Sequence, residues 1–182
     1  ALMEQQRERA RSSQKKEIIN VSSITSDAFT EFVGFDKLTA TAKVLEVVEE
    51  TKRVGIVGLG LIGGSLGLDL QAEGWDVQGL VHRSATAERA KERRLVSDVS
   101  TDPACLAGCD LVILALPIPL LLEPEPSLLE ALPADAVITD VGSVKQPVLE
   151  AWRERHPRFV ASHPMAGTAF AGVEAGIKGL FR

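Results

Sequence analysis

Tyrosine is absent and aromatic residues supply only 4% of the 182 positions. A core drawn from such a chain must be aliphatic, which suits a parallel sheet of Val, Ile and Leu strands covered on both faces. Cysteine is nearly absent too, with Cys105 and Cys109 the whole thiol inventory. Their C-x-x-x-C spacing, without a second pair or a neighbouring histidine, makes a poor metal site and a poor redox motif. They read as ordinary helix or loop thiols of a reducing compartment, and no metal is expected. Long apolar runs are missing: the longest, Leu111 to Leu122, is too short for a membrane span and is broken by Pro117 and Pro119. No secretory leader is visible, so a cytoplasmic location is the expectation. An excess of basic charge is also lacking. Twenty Lys and Arg against 25 Asp and Glu give a formal charge of −5, which argues against broad affinity for nucleic acid or membrane surfaces.

What is present is organised around Arg53 to Leu70, RVGIVGLGLIGGSLGLDL. The β-branched Val54, Ile56 and Val57 stand directly before a turn, as in a buried parallel strand. Gly58, Gly60 and Gly63 come next in the spacing G-x-G-x-x-G. The first lets the chain turn out of the strand, the second lets backbone approach a pyrophosphate, and the third lets a helix pack closely on the strand. Leu61, Ile62, Leu66 and Leu70 then recur at helical offsets. The first turn of that helix would aim free N–H groups and a positive dipole end at phosphates. A dinucleotide is therefore the expected ligand, with Gly58, Gly60, Leu61, Ile62 and Gly63 as its contacts.

Upstream, ALMEQQRERARSSQKKEIIN favours helix but lacks a broad apolar stripe. FTEFVGFDKLTATAKVLEVVEE has strand character, with Ala40, Ala42 and Val44 alternating with Thr41, Lys43 and Leu45. The pattern changes to α/β alternation at Arg53. The chain therefore divides into 1–52, an appendage of helix plus β segment, and 53–182, a nucleotide-binding domain. The expected fold class is α/β, a Rossmann-type doubly wound parallel sheet with that appendage.

Downstream, WDVQGLV (Trp75 to Val81) reads as the second strand. An NAD enzyme is expected to place an Asp or Glu at its end for the adenosine ribose. Here stand His82, Arg83, Ser84, Ala85 and Thr86. An arginine with an adjacent hydroxyl matches a ribose phosphate, since a guanidinium pairs with phosphate in a two-pronged way. NADP is therefore expected ahead of NAD, on Arg83 and Ser84. Ala87 to Leu95 reads as a surface helix, LVILAL (Leu111 to Leu116) as a buried strand, Leu128 to Leu132 as a short helix and AVITDV (Ala136 to Val141) as the next strand. Pro117, at the end of LVILAL, is a candidate cofactor contact. Ser143 and Lys145 stand at another carboxyl edge, where open α/β sheets bind ligands. A last short strand, Phe159 to Ala161, runs into SHPMAGT. His163 is the best general base, because an imidazole titrates near neutrality and can take a hydroxyl proton as hydride leaves the same carbon. His82 belongs to the ribose end, and His156, in a charged helix, reads as solvated.

Together GLGLIGGSL, the strand ending in HRS, LALPI, DVGSVK, HPMAGT, GVEAG and GLF closely resemble the prephenate and arogenate dehydrogenases of tyrosine biosynthesis, over roughly Arg53 to Arg182. The resemblance implies NADP-dependent oxidative decarboxylation of a cyclohexadienyl acid, arogenate ahead of prephenate. His163 would take the hydroxyl proton, Ser143 would orient hydroxyl and imidazole, and Lys145 and Thr168 would contact the small-molecule substrate. It also implies a further helical domain for substrate and homodimer contacts. With an opening at Ala1 and an end at Arg182, the chain reads as a piece that binds NADP weakly and turns over little. Residues 1–51 resemble a stretch of alanyl-tRNA synthetases lacking its aminoacylation and editing motifs. Two other readings stay open. One is another NADP oxidoreductase of the β-hydroxyacid dehydrogenase type, against which HPMAGT discriminates. The other is a non-catalytic fusion or interaction module related to the synthetase.

Overall fold

A computed structural model describes residues 52–181. The helix and β segment expected within 1–51 lie outside the described residues. β1 (Arg53–Val57) is followed by α1 (Leu61–Ala72), β2 (Asp76–Leu80), α2 (Ser84–Glu92) and β3 (Asp98–Ser100). A 3-10 turn at Pro103–Leu106 leads to β4 (Leu111–Leu114), α3 (Ile118–Leu122) and α4 (Pro126–Ala131). β5 (Val137–Asp140), α5 (Gln146–Trp152) and β6 (Phe159–Val160) complete the unit. The six strands form one sheet in the order β3-β2-β1-β4-β5-β6, and every pairing is parallel. This is the expected doubly wound Rossmann arrangement, with its topological switch point between β1 and β4.

Continuous apolar strands result from burial on both faces. Along β1, Val54 and Ile56 join one core cluster with Leu59, Val77 and Ile113. Val57 joins the other, with Val112, Leu114, Ile138 and Trp152. Side chains alternate across the sheet with period two, so LVIL serves both clusters without a polar position. On the second face Trp152 is fully buried, its indole N–H donates to the Leu121 carbonyl at 2.8 Å, and its ring stacks on Phe159 at 5.3 Å. One side chain thus ties α5 to α3 and β6.

Three details depart from expectation. β3 is not evident in the sequence because it has three residues at a sheet edge and buries one apolar side chain, Val99. α2 stops at Glu92 rather than continuing to Leu95: Arg94 takes a positive φ of 51°, the Leu95 N–H closes back on the Ala90 carbonyl at 3.1 Å, and Leu95 turns wholly into the core. His156 is not solvated. It lies beyond α5, only 6% exposed, with Nε2 3.2 Å from the Pro133 carbonyl and Nδ1 accepting from the Arg158 N–H at 3.3 Å. Charged sequence neighbours concealed a ring that pins one loop to another.

Both thiols are free, and burial raises both above the usual thiol range, Cys109 to about 11. Native Cys109 is therefore expected to react with Ellman's reagent at pH 8 only as fast as the fold opens, and at the rate of a free thiol once unfolded. Trp152→Ala is expected to cost about 3–5 kcal/mol of stability, measured by denaturant titration.

Candidate dinucleotide and proton-transfer site

The three loop glycines have different surroundings. Gly58 has φ +91°, and a Cβ there would lie 2.5 Å from the Ala115 carbonyl oxygen. A Cβ at Gly63 would fall 1.9 Å from the Gly58 carbonyl oxygen, so α1 starts in backbone contact with its own loop. At Gly60 a Cβ would meet nothing within 4 Å. The loop is closed on the protein side and open outward at Gly60, the arrangement a pyrophosphate cradle needs. Gly60 caps α1 without any side-chain bond, and the first turn holds no acid. The first intrahelical bond is Gly64 N–H to the Gly60 carbonyl, 2.8 Å. The N–H groups of Leu61, Ile62 and Gly63 precede it and form the helix's positive end.

α1 buries an unusual stripe. Gly63, Gly64, Ser65, Gly67 and Asp69 are inside, while Leu61, Ile62, Leu66 and Leu70 are only half-buried. The small residues admit close neighbours. A Cβ at Gly67 would sit 2.3 Å from the Leu95 carbonyl oxygen, and one at Gly64 would sit 3.3 Å from the Gly176 Cα. The polar pair fastens the returning chain. Ser65 Oγ accepts from the Ile177 N–H at 2.9 Å, and the Asp69 carboxylate accepts from the N–H groups of Gly179 at 2.6 Å and Phe181 at 3.2 Å. The Arg93 guanidinium donates to the carbonyls of Val173 and Gly176, and Arg89 pairs with Glu174. Hydrogen bonding to Arg89 lowers the Glu174 carboxyl below its ordinary range.

Beside the loop opens a cavity of about 470 Å³. Gly58 and Gly60 form its floor, His82, Arg83 and Thr86 one wall, and Val173 of the returning segment another. Arg83 is the N-cap of α2 and Ser84 its first residue. The guanidinium is exposed and takes part in no ion pair or side-chain hydrogen bond among the described residues. This wall offers an unpaired guanidinium and hydroxyls, with no carboxylate from Val81 to Thr86, while Glu125 lines the cavity elsewhere.

Parallel strands put the remaining candidates along the same edge. Pro117 leaves β4 as the exposed N-cap of α3. Ser143 comes after β5 and His163 after β6, both exposed. From β2 to β6 this row crosses four strand spacings, roughly 19 Å. The ends of β5 and β6 are joined through Asp140, which is fully buried. Its carboxylate accepts from the Gly142 N–H at 2.8 Å, the Ser162 N–H at 3.2 Å and the Lys145 ammonium. Lys145 also donates to the Ser162 carbonyl. Thr168 sits further along, exposed, its hydroxyl accepting from the Phe170 N–H at 3.2 Å. Sequence reasoning missed Ser65, Asp69 and Arg93, and it passed over Asp140, whose place as the last residue of a strand was the available signal.

Gly60→Ala is expected to leave the melting temperature unchanged while weakening dinucleotide binding about tenfold or more, ~1.4 kcal/mol. Gly63→Ala is expected to lose about 3 kcal/mol of stability or more. Thermal unfolding and calorimetric titration with NADP separate the two effects.

Residues 66–182 match the family described as prephenate dehydrogenase, nucleotide-binding domain. The cyclohexadienyl dehydrogenase of Zymomonas mobilis is 34% identical over 136 residues, covering 72% of this chain and 46% of that protein. The solved arogenate dehydrogenase of Synechocystis is 36% identical, with a TM-score of 0.61, over 71% of this chain and 46% of that one. Prephenate dehydrogenase from A. aeolicus, solved with hydroxyphenyl propionate and NAD+, is 30% identical, with a TM-score of 0.65, over 73% and 48%. The chain thus spans less than half the length of the curated dehydrogenases it matches. A separate similarity, 43% over 56 residues, links it to the alanine–tRNA ligase of Akkermansia muciniphila, covering 31% of this chain and 6% of that ligase. No helix among the described residues is long and apolar enough to cross a membrane. With a family match that begins within α1 and takes in every later strand, the chain belongs to the prephenate dehydrogenase family.

Proposed function

We propose that residues 53–182 are the NADP-binding and proton-handling part of an arogenate dehydrogenase, with prephenate the second choice of substrate, and that 1–52 are an appendage outside that chemistry. The observation that carries this reading is the cavity wall at Arg83. A guanidinium without a partner among the described residues stands there, Ser84 is next to it, and no carboxylate occupies Val81 to Thr86, where one that binds a free ribose is expected; the cavity's carboxylate, Glu125, comes from the segment after β4. The NAD+ seen with the A. aeolicus relative favours NAD as the second reading.

A bound nicotinamide would supply the hydride acceptor. The chain's part is to bind, orient and move one proton. Gly58, Gly60, Leu61, Ile62 and Gly63 would hold the pyrophosphate on backbone N–H groups, and Pro117 would flank the nicotinamide ribose. His163 would accept the proton of the ring hydroxyl as hydride leaves the same carbon. Ser143 would hold that hydroxyl and the imidazole in line, and Thr168 would contact the ring's substituents. Loss of the ring carboxylate as carbon dioxide then leaves an aromatic product. On this reading the protein would act in tyrosine biosynthesis in the cytoplasm, as a homodimer.

Titration of the chain with each dinucleotide is expected to show NADP binding about tenfold tighter than NAD, a difference of ~1.4 kcal/mol, and Arg83→Ala is expected to erase the preference. Equal or tighter binding of NAD contradicts the cofactor assignment. Steady-state assay of this chain with arogenate and NADP is expected to give little or no turnover beside a full-length relative. A comparable rate contradicts the division of labour proposed.

A further inference from the structure

β6 has only two residues and pairs with β5 through Ile138↔Phe159 and Thr139↔Val160 alone. So short a ladder at a sheet edge does little to fix the chain beyond it. Yet the next residues carry His163. They are held by a set of bonds centred on a carboxylate that is costly to bury unless every partner is in place. Asp140 takes the N–H of Gly142, which precedes Ser143. It also takes the N–H of Ser162, which precedes His163. The Lys145 ammonium bridges that carboxylate to the Ser162 carbonyl, and the Ser162 hydroxyl returns to the Asp140 main-chain oxygen. Gly142 packs close on these groups: a Cβ there would lie 3.1 Å from the Asp140 carboxylate and 2.8 Å from the movable end of Ile118.

We propose that Asp140 and Lys145 act as one positioning unit, a clip that locks the turn bearing Ser143 to the strand end bearing His163. Lys145 then works from behind the site, through Ser162, and its ammonium is engaged by the protein rather than offered to substrate. The proposal rests on the reading of Ser143 and His163 as the reacting pair, but the clip itself exists without substrate or cofactor and can be tested without either.

The test uses the full chain. Hydrogen exchange is followed by mass spectrometry in peptides covering 141–146, 161–166 and 54–66, for the wild type, Lys145→Met, Lys145→Arg, Asp140→Asn and the double variant D140N/K145M. Spectra of ¹⁵N-histidine-labelled protein are recorded in parallel, with His163 assigned by its loss in His163→Asn. Lys145 is partly exposed, with 32% of its side chain accessible, so its variants keep the test open even where D140N fails to fold. Lys145→Met is expected to raise exchange about tenfold in 141–146 and 161–166 together, leaving 54–66 unchanged. The His163 ring signals should move while those of His82 stay, Lys145→Arg should restore both readouts, and the double variant should be no worse than a single one. Faster exchange in one loop only, in neither, or throughout the chain including 54–66 overturns the proposal, as does a Lys145→Arg protein that behaves like Lys145→Met. An intact clip in a chain that does not bind NADP is failure of the functional reading alone, and NADP binding without the coupled exchange response is failure of this proposal alone.

Discussion

Everything in the described unit depends on one backbone contact. Where α1 begins, the space between Gly63 and the Gly58 carbonyl holds no carbon atom, since a Cβ would sit 1.9 Å from that oxygen. Only this approach lets a helix start against the loop that leaves the central strand, and only then do its first N–H groups stand at the sheet's carboxyl edge. The closeness continues along the helix. Gly64 meets Gly176 and Gly67 meets the Leu95 carbonyl, so α1 is packed by backbone on several sides and its leucines are left half-buried.

From that fixed point the edge is built outward in both directions by polar fastenings. Toward β2, Ser65 and Asp69 of α1 and Arg93 after α2 draw in the segment 172–181, which brings Val173 to the cavity beside Arg83. Toward β6, Asp140 joins two loops that the two-residue strand could not align. The hydrophobic effect makes the sheet and its two cores. Orientation at the edge comes instead from a few buried polar side chains whose bonding is complete.

The fold was legible because its signals are local. Alternation is unnecessary in strands covered on both faces, so VGIV and LVIL are plain apolar runs, VITD opens with Val137 and Ile138 ahead of its polar end, and glycine spacing marks the turn between β1 and α1. The row of Arg83, Ser143 and His163 was legible for the same reason, each lying just past a recognisable strand. The features that escaped depend on partners far away in the chain. Asp69 meets residues 110 and 112 positions distant, and nothing beside it in sequence marks the bond. His156 sits among charged neighbours and still points inward. For Lys145 the resemblance at DVGSVK implies a substrate contact, and the buried carboxylate and Ser162 carbonyl that the fold brings within its reach are not marked in the sequence.

The claim at the centre is that one dinucleotide lies along this edge, from the wall at Arg83 across the glycine loop to the paired loops of Ser143 and His163. A ¹H–¹⁵N chemical-shift map of the chain during titration with NADP tests it most directly. The expected result is a set of saturable shifts that begin at Gly58 to Gly64 and Arg83 to Thr86 and extend to Ser143 and His163, with Asp110 and Asp135, before β4 and β5 at the opposite edge of the sheet, little affected. Shifts confined elsewhere, or a spectrum unmoved at millimolar NADP, would contradict it.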